Sequence, residues 1–386
     1  MPGVSFSDNG GMTSASHSSD SAEPFEGLRI RGVAKTFGTD TTVLNEIDLD
    51  VHPGELISLV GSSGTGKSTL LRIIAGLEEP SAGRVTYAGQ PLERGSVGVV
   101  FQRPILYPHL SVKDNILFPT RLGAFAGRVD MDYYRELLEA LKLEGLESRK
   151  PSQLSGGQAQ RVGIARALIR RAPVVLFDEP LASVDEEMSA SIRADIVRLH
   201  ERYGFTGLYV THDQNEALML GQRVAVMDAG YLVQVDTPER LLAHPHTLQV
   251  AKLLAAPALN LVALEDSAVL PAGCQLAIRA TALCPVAADA AHSLPVQVLG
   301  SRHLVGGMLY RARLLEAVSL PLESRRASAD SEPSDRVYAR VRAGQELEFF
   351  IPDAQSGSSL NVGDRVHLGV AAERCFVFSN GKRFYL

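Results

Sequence analysis

The sequence has few cysteines, a weak net charge and no long apolar run, and each shortage argues against a class of protein. Three cysteines occur among 386 residues, and none belongs to a CxxC pair. We therefore expect free thiols in a reducing compartment rather than a disulfide scaffold or a zinc site. The net charge of −6 gives no broad basic face, so we expect no nucleic-acid partner. No run of about 18 apolar residues predicts a membrane-spanning helix.

The composition changes twice along the chain, which predicts three regions. Residues 1–24 are rich in Ser and Gly and lack the basic and apolar segments of a signal peptide, so we expect a disordered tail. Residues 25–250 mix strand and helix patterns and predict an α/β domain. Residues 251–386 contain short Val- and Leu-rich runs separated by Pro, Gly and Asp, and predict a small all-β domain of barrel type. Within it, residues 322–335 are polar enough to predict a mobile loop.

Three short and almost wholly apolar runs predict the centre of the α/β domain. They are residues 56–60, 173–180 and 207–212. Strands buried on both faces of a parallel sheet have this composition, because helices cover both faces. Two further patterns predict antiparallel strands: the alternation before residue 56, and a hairpin at residues 223–235 around Asp-Ala-Gly.

Helical spacing of apolar residues predicts the segments between these strands. One helix follows the Gly-rich loop at residues 61–66, a second spans residues 131–146, and a third begins at residue 186 and ends at Gly204. Glycine is favoured just after a helix because it adopts the left-handed conformation without strain. The order of strands and helices therefore predicts a doubly covered parallel sheet.

A nucleotide-binding loop lies between the first apolar run and the first helix. Residues 61–68, GSSGTGKS, match the pattern G-x-x-x-x-G-K-[ST] in the context that this motif requires. The glycines let successive backbone N–H groups turn inward, Lys67 can bind the β- and γ-phosphates of ATP, and Ser68 can ligate Mg²⁺. The predicted ATP contacts are Gly61, Ser62, Ser63, Gly64, Thr65, Gly66, Lys67, Ser68 and Thr69.

Two adjacent acids end the second apolar run. Asp178 and Glu179 follow VVLF, at the carboxyl end of a strand expected beside the phosphate loop. Asp178 can hold Mg²⁺, and Glu179 can polarise an attacking water molecule. Exposed acids are common at strand ends, but the neighbouring phosphate loop favours the catalytic interpretation.

A second glycine-rich loop, which holds a Gly-Gly pair, raises the question of why one nucleotide would need two phosphate-binding loops. Residues 154–158, LSGGQ, precede a helical pattern and by themselves also fit an ordinary helix start. Together with the phosphate loop and LFDEP, they resemble the signature of the ATP-binding-cassette ATPases. The resemblance covers roughly residues 28–245.

The other motifs of that family follow in order. Gln102 resembles the Q-loop glutamine, Asp185 the acid of the D-loop and His212 the switch histidine. Phe37 occupies the place of the aromatic residue that stacks on adenine. A core phenylalanine, and a buried histidine bonded to a backbone carbonyl, are the alternatives for Phe37 and His212.

The resemblance implies both a fold and an assembly. The fold is a P-loop NTPase with a RecA-like parallel sheet, an antiparallel β subdomain and a helical signature subdomain, followed by an OB- or TOBE-like β domain. In this family the signature contacts the ATP of a second cassette, either another copy or a paralogue, so ATP forms part of the interface. Five residues would do so here: Leu154, Ser155, Gly156, Gly157 and Gln158.

A detached transporter cassette is the interpretation that fits the whole chain. Soluble DNA-repair cassettes carry long coiled coils between Lys67 and Leu154, translation-associated ones carry two cassettes, and exporters are fused to membrane helices; none of these features occurs here. Residues 103–119 resemble the importer segment that contacts a permease, with Tyr107, Pro108, His109 and Leu110 as candidates. The alternative is that this loop packs on its own helical subdomain.

The C-terminal region resembles the regulatory extension of sugar, polyamine, iron, sulfate and molybdate importer ATPases. Ala280 stands where that extension has the proline of IRPE, so ligand sensing and dimerisation both remain open as its role. The implied partners are a membrane permease and, through it, a solute-binding protein, with the chain at the cytoplasmic face of the inner membrane. A soluble ATP-dependent regulator and a two-component efflux system remain as alternatives.

Overall fold

The computed structural model describes most of the chain between residues 25 and 384. The described ranges are 25–122, 129–265, 270–271, 273–322, 337–353, 359–371 and 374–384. The predicted tail at residues 1–24 lies outside them, as does nearly all of the predicted loop at residues 322–335. Among the described residues, no helix combines the length and the apolar character needed to cross a bilayer.

The first part of the chain forms an antiparallel sheet and begins a parallel one. Its elements are β1 (Leu28–Phe37), β2 (Thr41–Val51), β3 (Leu56–Val60), α1 (Lys67–Ile74), β4 (Ala82–Tyr87), β5 (Gln90–Pro91) and β6 (Gly98–Val100). The antiparallel sheet has the strand order β2-β1-β4-β5. The alternation that predicted β1 and β2 is confirmed, because alternate side chains of these strands are buried against α1 and the parallel sheet.

The middle of the chain supplies the helical layer and the rest of the parallel sheet. Its elements are α2 (Val112–Leu117), α3 (Met131–Ala140), α4 (Gly156–Leu168), β7 (Val174–Asp178), α5 (Glu186–Tyr203), β8 (Thr206–Thr211), α6 (Gln214–Leu220), β9 (Arg223–Asp228) and β10 (Tyr231–Asp236). The helix α3 is shorter than predicted. Its last turn closes at Leu141, and Lys142 adopts a φ of 54°, a left-handed conformation that stops the helix before the predicted end at residue 146. The end of α5 at Gly204, with a φ of 57°, agrees with the prediction.

One six-stranded sheet determines where the functional residues lie. Its order is β10-β9-β3-β8-β7-β6, and all neighbours are parallel except β10 and β9, the predicted hairpin. Strands β3 and β8 are buried at every residue, as their apolar composition predicted. The carboxyl ends of parallel strands meet at one edge of a sheet. The segments that follow β3, β6, β7 and β8 are therefore neighbours.

The remaining residues form two short helices and a β domain. The elements are α7 (Pro238–Ala243), α8 (Leu248–Leu253), β11 (Leu259–Ala263), β12 (Gln275–Arg279), β13 (Cys284–Val286), β14 (Leu294–Leu304), β15 (Gly307–Leu314), β16 (Val318–Leu322), β17 (Val337–Val341), β18 (Glu346–Pro352), β19 (Arg365–Gly369), β20 (Cys375–Ser379) and β21 (Lys382–Arg383). The predicted boundary after residue 250 lies inside α8.

The C-terminal strands surround one apolar core. Their sheets have the orders β11-β12-β20-β21, β13-β19-β14-β15-β18 and β16-β17. The two edge strands of the five-stranded sheet, β13 and β18, also contact each other, so this sheet curls as the barrel-like prediction requires. The side chains that face inward from all three sheets form a single buried cluster.

Candidate nucleotide site

The phosphate loop connects β3 to α1, and its glycines are required for different structural reasons. Gly64 and Gly66 adopt φ values of 81° and 99°, which strain any other residue. Gly61 does not need a left-handed backbone. It is required for space instead, because a Cβ there would lie 2.4 Å from the carbonyl oxygen of Met227. Ser62 and Ser63 are exposed along the loop, while Thr65 Oγ1 donates to the Ser62 carbonyl at 2.9 Å.

Lys67 is held inside this loop by backbone carbonyls. It is only 4% exposed, and its Nζ donates to the carbonyl oxygens of Gly61 at 2.8 Å and Ser62 at 3.0 Å. Burial lowers the pKa of Lys67, while the negative charges of Glu179 and Asp178 oppose that shift. The partly desolvated ammonium group therefore lies inside the phosphate loop, and Ser68 and Thr69 follow Lys67 in the first turn of α1.

Asp178 lies next to Ser68 at the carboxyl end of β7. The Ser68 hydroxyl donates to Asp178 Oδ1 at 3.3 Å, although the two residues are 110 positions apart. Burial raises the pKa of Asp178, and the hydrogen bond from Ser68 opposes the shift. A hydroxyl and a carboxylate are the hard oxygen donors that Mg²⁺ prefers, so this pair fits the predicted metal.

Glu179 and His212 approach each other across neighbouring strands. His212 Nδ1 lies 3.0 Å from Glu179 Oε2. Glu179 has a left-handed φ of 45°, and its backbone N–H donates to the Val210 carbonyl at 2.9 Å. Non-glycine residues in this conformation cluster at functional sites, and they also end helices, as Lys142 does in this chain. The His212 side chain is 55% exposed, so the buried histidine considered from the sequence is wrong.

Phe37 ends β1, and Gln102 follows β6. Phe37 is 43% exposed at the end of β1, which excludes the core phenylalanine considered as its alternative. Lys35 Nζ lies 4.8 Å from the centroid of its ring. Gln102 is exposed two residues after β6, while Gln160 Nε2 donates to the carbonyl of the preceding Phe101 at 3.2 Å. This link from α4 to the Gln102 segment was not predicted.

The LSGGQ run forms the N-terminus of α4. Ser155 Oγ accepts from the backbone N–H of Gln158 at 3.2 Å, and Gln158 Oε1 accepts from the backbone N–H of Ser155 at 3.0 Å. Leu154 packs against the apolar core beneath this capping box. Ser155 and Gly156 are exposed, and a Cβ at Gly156 would meet no atom within 4 Å. Gly157 is instead packed on Met188, whose Cγ would lie 2.6 Å from a Cβ.

The Asp185 side chain caps the N-terminus of α5. Its Oδ1 accepts from the Met188 backbone N–H at 2.9 Å, which is the usual geometry of a helix N-cap. The D-loop role implied by resemblance would therefore have to be compatible with a capping role. Met188 packs against Gly157, so the start of α5 and the start of α4 are in direct contact.

The loop at Tyr107, Pro108, His109 and Leu110 is organised by a residue that the sequence analysis missed. Asn115 is fully buried in α2; it accepts from the Tyr107 N–H at 2.7 Å and donates to three carbonyls, of Tyr107, Leu110 and Ser111. Tyr107, Pro108 and His109 are exposed. The missed signal is an asparagine on the apolar face of a short helix.

Part of the chain is similar in sequence to known transporter subunits. A family model described as "ABC transporter" matches residues 44–182. The sn-glycerol-3-phosphate import ATP-binding protein UgpC 1 of Rhizobium johnstonii is 45% identical over 241 residues, which are 61% of this chain and 65% of the relative. This chain thus spans just under two thirds of that relative. UgpC of Yersinia pestis bv. Antiqua is 42% identical over 252 residues, covering 64% of this chain and 70% of the relative.

A solved structure supports the fold of the first domain. It is cbiO1 from Clostridium perfringens, described as part of the ABC transporter complex cbiONQ, with a TM-score of 0.51 and 27% identity. The match covers 57% of this chain and 92% of that chain. The chain therefore belongs to the ABC transporter family, and these two relatives are named as ATP-binding proteins of importers.

Proposed function

We propose that this chain is the ATP-hydrolysing subunit of a solute importer and that two cassettes enclose two ATP molecules between them. The observation that carries the proposal is the exposed start of α4, where Ser155 and Gly156 face open space. Exposed N–H groups at a helix N-terminus attract phosphate. A second copy or a paralogous cassette would bring its own ATP to this surface, which gives the second phosphate-binding loop a purpose.

The residues at the sheet edge would divide the reaction between them. Lys67 binds the β- and γ-phosphates, and Phe37 stacks on the adenine. Glu179 orients or deprotonates the attacking water, and His212 contacts the γ-phosphate. Phosphoryl transfer depends on positioning and charge stabilisation, and the Glu179–His212 contact of 3.0 Å supports a prearranged pair.

The metal in this reaction would be Mg²⁺, held by oxygen donors. Ser68 and Asp178, already 3.3 Å apart, would hold it together with Gln102. Mg²⁺ would neutralise charge on the phosphates when bound. Asp185 would mark the D-loop at the cassette interface while it caps α5.

The exposed segment after Gln102 would receive the permease. Tyr107, Pro108 and His109 are exposed, and Ile105 is 64% exposed, so the segment offers apolar surface with a polar rim. Asn115 fixes the backbone beneath it. Leu110 is half-buried and would support the loop more than contact the partner.

Attachment to a permease would locate the chain at the cytoplasmic face of the inner membrane. The permease and a solute-binding protein would select the solute, because the residues described above bind nucleotide. The names of these relatives make sn-glycerol 3-phosphate the first solute to test.

The test is reconstitution with the permease that copurifies with the full chain. Proteoliposomes that carry the complex should hydrolyse ATP faster when solute and binding protein are present, and solute should move toward the side that carries the cassette. The Glu179→Gln variant is the control, and it should remove both activities. Movement of solute away from the cassette side would favour efflux. Hydrolysis that neither the permease nor the solute alters would favour a soluble role.

A further inference from the structure

A buried hydrogen-bond network lies beneath His212, where β8 meets α6. Thr211, the last residue of β8, is only 2% exposed, whereas the His212 side chain that follows it is 55% exposed. A functional side chain is held in place by packing and by hydrogen bonds to its supports. Since packing covers less than half of the His212 side chain, its placement depends on the backbone that carries it.

The Thr211 hydroxyl closes a tight turn around His212. Its Oγ1 accepts from the backbone N–H of Asp213 at 3.0 Å, so the two residues that flank His212 are bonded to each other. Threonine hydroxyls stabilise turns in this way. Asp213 also caps α6, because its Oδ1 accepts from the backbone N–H groups of Asn215 at 2.7 Å and Glu216 at 3.1 Å. The turn is therefore fixed to β8 at one end and to α6 at the other.

Glu216 of α6 determines which way the Thr211 hydroxyl points. Its Oε2 accepts from Thr211 Oγ1 at 2.8 Å and from the Tyr209 hydroxyl at 3.1 Å. An ionised carboxylate can only accept, so the single hydroxyl proton of Thr211 is committed to Glu216 and a lone pair is left for the Asp213 N–H. The carboxylate therefore fixes the hydroxyl in the orientation that the turn requires.

The Glu216 carboxylate is buried with a distant positive charge as compensation. Glu216 is 8% exposed, and Arg193 Nη1 of α5 lies 3.9 Å from its other oxygen, Oε1. Burial raises the pKa of Glu216, whereas the hydrogen bonds from Thr211 and Tyr209 oppose that shift. Burying a charge is costly even when the charge is paired, so stability alone does not explain a carboxylate at this position.

We propose that Thr211 and Glu216 are positioning residues that hold His212 toward Glu179 and the γ-phosphate of ATP. This positioning role rests on the role proposed above for His212. The two residues fix the turn from which the ring projects, and the ring lies 3.0 Å from Glu179 Oε2. They act through His212 and not on nucleotide, so their loss should slow hydrolysis without weakening ATP binding.

Steady-state ATP hydrolysis by the full chain tests the proposal, at chain concentrations where the rate per chain has levelled off. Thr211→Val keeps the shape of the side chain and removes its hydroxyl. It should lower kcat by about 10- to 100-fold, as displacement of a catalytic group does, and should leave KM for ATP within about twofold. Thr211→Ser restores the hydroxyl and should recover most of the lost kcat. A folded Thr211→Val with normal kcat would overturn the proposal.

Thr206→Val is the matched control, because Thr206 belongs to the same strand and is also 2% exposed. Its hydroxyl accepts from the Gly54 backbone N–H at 3.0 Å, which is the same kind of bond at the opposite end of β8. Both valine variants should lose stability in chemical denaturation, but Thr211→Val alone should lose kcat. An equal fall of kcat in the two variants would mean a general loss of stability and would contradict positioning.

His212→Ala distinguishes failure of this inference from failure of the proposed function. A normal kcat in His212→Ala would refute the role of the histidine itself. A low kcat in His212→Ala beside a normal kcat in Thr211→Val would refute the positioning role alone. Added to His212→Ala, Thr211→Val should cause little further loss, because it acts through the ring. A further loss as large as in the wild type would contradict the proposal.

Two variants at Glu216 give an answer even if Thr211→Val does not fold. Glu216→Gln keeps an oxygen that accepts from both hydroxyls, whereas Glu216→Leu removes the acceptor. We expect kcat to fall at least about tenfold further in Glu216→Leu than in Glu216→Gln, with KM for ATP similar in both. Equal kcat values in the two variants would contradict the assigned role of the carboxylate.

Discussion

His212 Nδ1 and Glu179 Oε2 lie 3.0 Å apart, although the residues are 33 positions apart in the chain. The contact follows from the sheet, because β7 and β8 are parallel neighbours and each residue comes directly after its strand. The hydrogen bond between them orients the carboxylate, and the left-handed backbone of Glu179 aims it. We infer that the pair is arranged for catalysis.

Glu179→Gln should lower ATP hydrolysis by about 10²- to 10⁴-fold, the usual contribution of a general base. The amide is nearly the same size but cannot accept a proton, so ATP binding should persist and the closed dimer should accumulate. Phosphate release and sizing chromatography with ATP measure the two effects. Glu187→Gln, at an exposed acid of α5, is the control. An unchanged hydrolysis rate in Glu179→Gln would rule out the assigned role.

Asp178→Asn should stabilise the nucleotide-free chain at neutral pH by about 0.5–2 kcal/mol, because it removes a partly desolvated charge from a functional site. The folded-state pKa of Asp178 is raised above its unfolded value, mainly by burial. The folded chain therefore binds the proton more tightly, and its stability falls as pH rises through that pKa. The penalty is present at pH 7 and disappears as pH falls toward the ordinary carboxyl range.

Chemical denaturation of both proteins at pH 7 and at about pH 4 tests the Asp178 prediction, since an ordinary aspartate titrates near the lower pH. The advantage of Asp178→Asn should shrink on acidification. Addition of MgADP should make the wild type the more stable of the two proteins at pH 7, because the variant loses a predicted Mg²⁺ ligand. An advantage that grew as pH fell would contradict the direction of the pKa shift.

Gly156→Ala and Gly157→Ala form a matched pair at the start of α4. A Cβ at Gly157 would lie 2.6 Å from Met188 Cγ, so Gly157→Ala should lower the free energy of unfolding by about 1–3 kcal/mol. A Cβ at Gly156 meets open space, so Gly156→Ala should change stability by less than about 0.5 kcal/mol.

The same two variants distinguish an effect on stability from an effect on the assembly of two cassettes around ATP. Gly156→Ala should nevertheless reduce ATP turnover, because the methyl group would stand where the ATP of the partner cassette is expected. Denaturation gives the stabilities, and phosphate release at saturating ATP gives the turnover. Full turnover in Gly156→Ala would place the partner nucleotide elsewhere.

Asn115→Ala should uncouple the Tyr107 loop from the cassette. The substitution leaves the backbone groups of Tyr107 and its neighbours without partners, which costs about 1–3 kcal/mol of stability. Basal ATP hydrolysis should remain near normal, because the phosphate loop is untouched. Stimulation by permease should fall, and Lys113→Ala, at an exposed position of the same helix, should preserve it. Normal stimulation in a folded Asn115→Ala would argue against permease docking here.

Much of the site could be predicted because its parts are local. Lys67 and Ser68 belong to one continuous motif, and Asp178 and Glu179 end one apolar strand, so spacing and strand order suffice to bring them together. The parallel sheet then follows from apolar runs that only double-sided burial explains. The end of α3 was misjudged because apolar spacing continues past Leu141 while the backbone turns at Lys142.

Other features depend on contacts between distant residues and could not be predicted. Gln160 reaches the Phe101 carbonyl 59 positions away, and Arg279 reaches the Leu242 carbonyl 37 positions away. No local pattern distinguishes these polar side chains from ordinary surface residues. Their roles depend on which elements pack together, and that information becomes available only once the fold is known.

Turnover per chain as a function of chain concentration tests the central claim most directly. If each ATP is enclosed by two cassettes, hydrolysis per chain should rise with concentration and level off as sizing detects the dimer at saturating ATP. Dilution into the monomer range should reduce it toward zero. A constant rate per chain, extending to concentrations at which sizing finds monomers alone, would contradict the composite site.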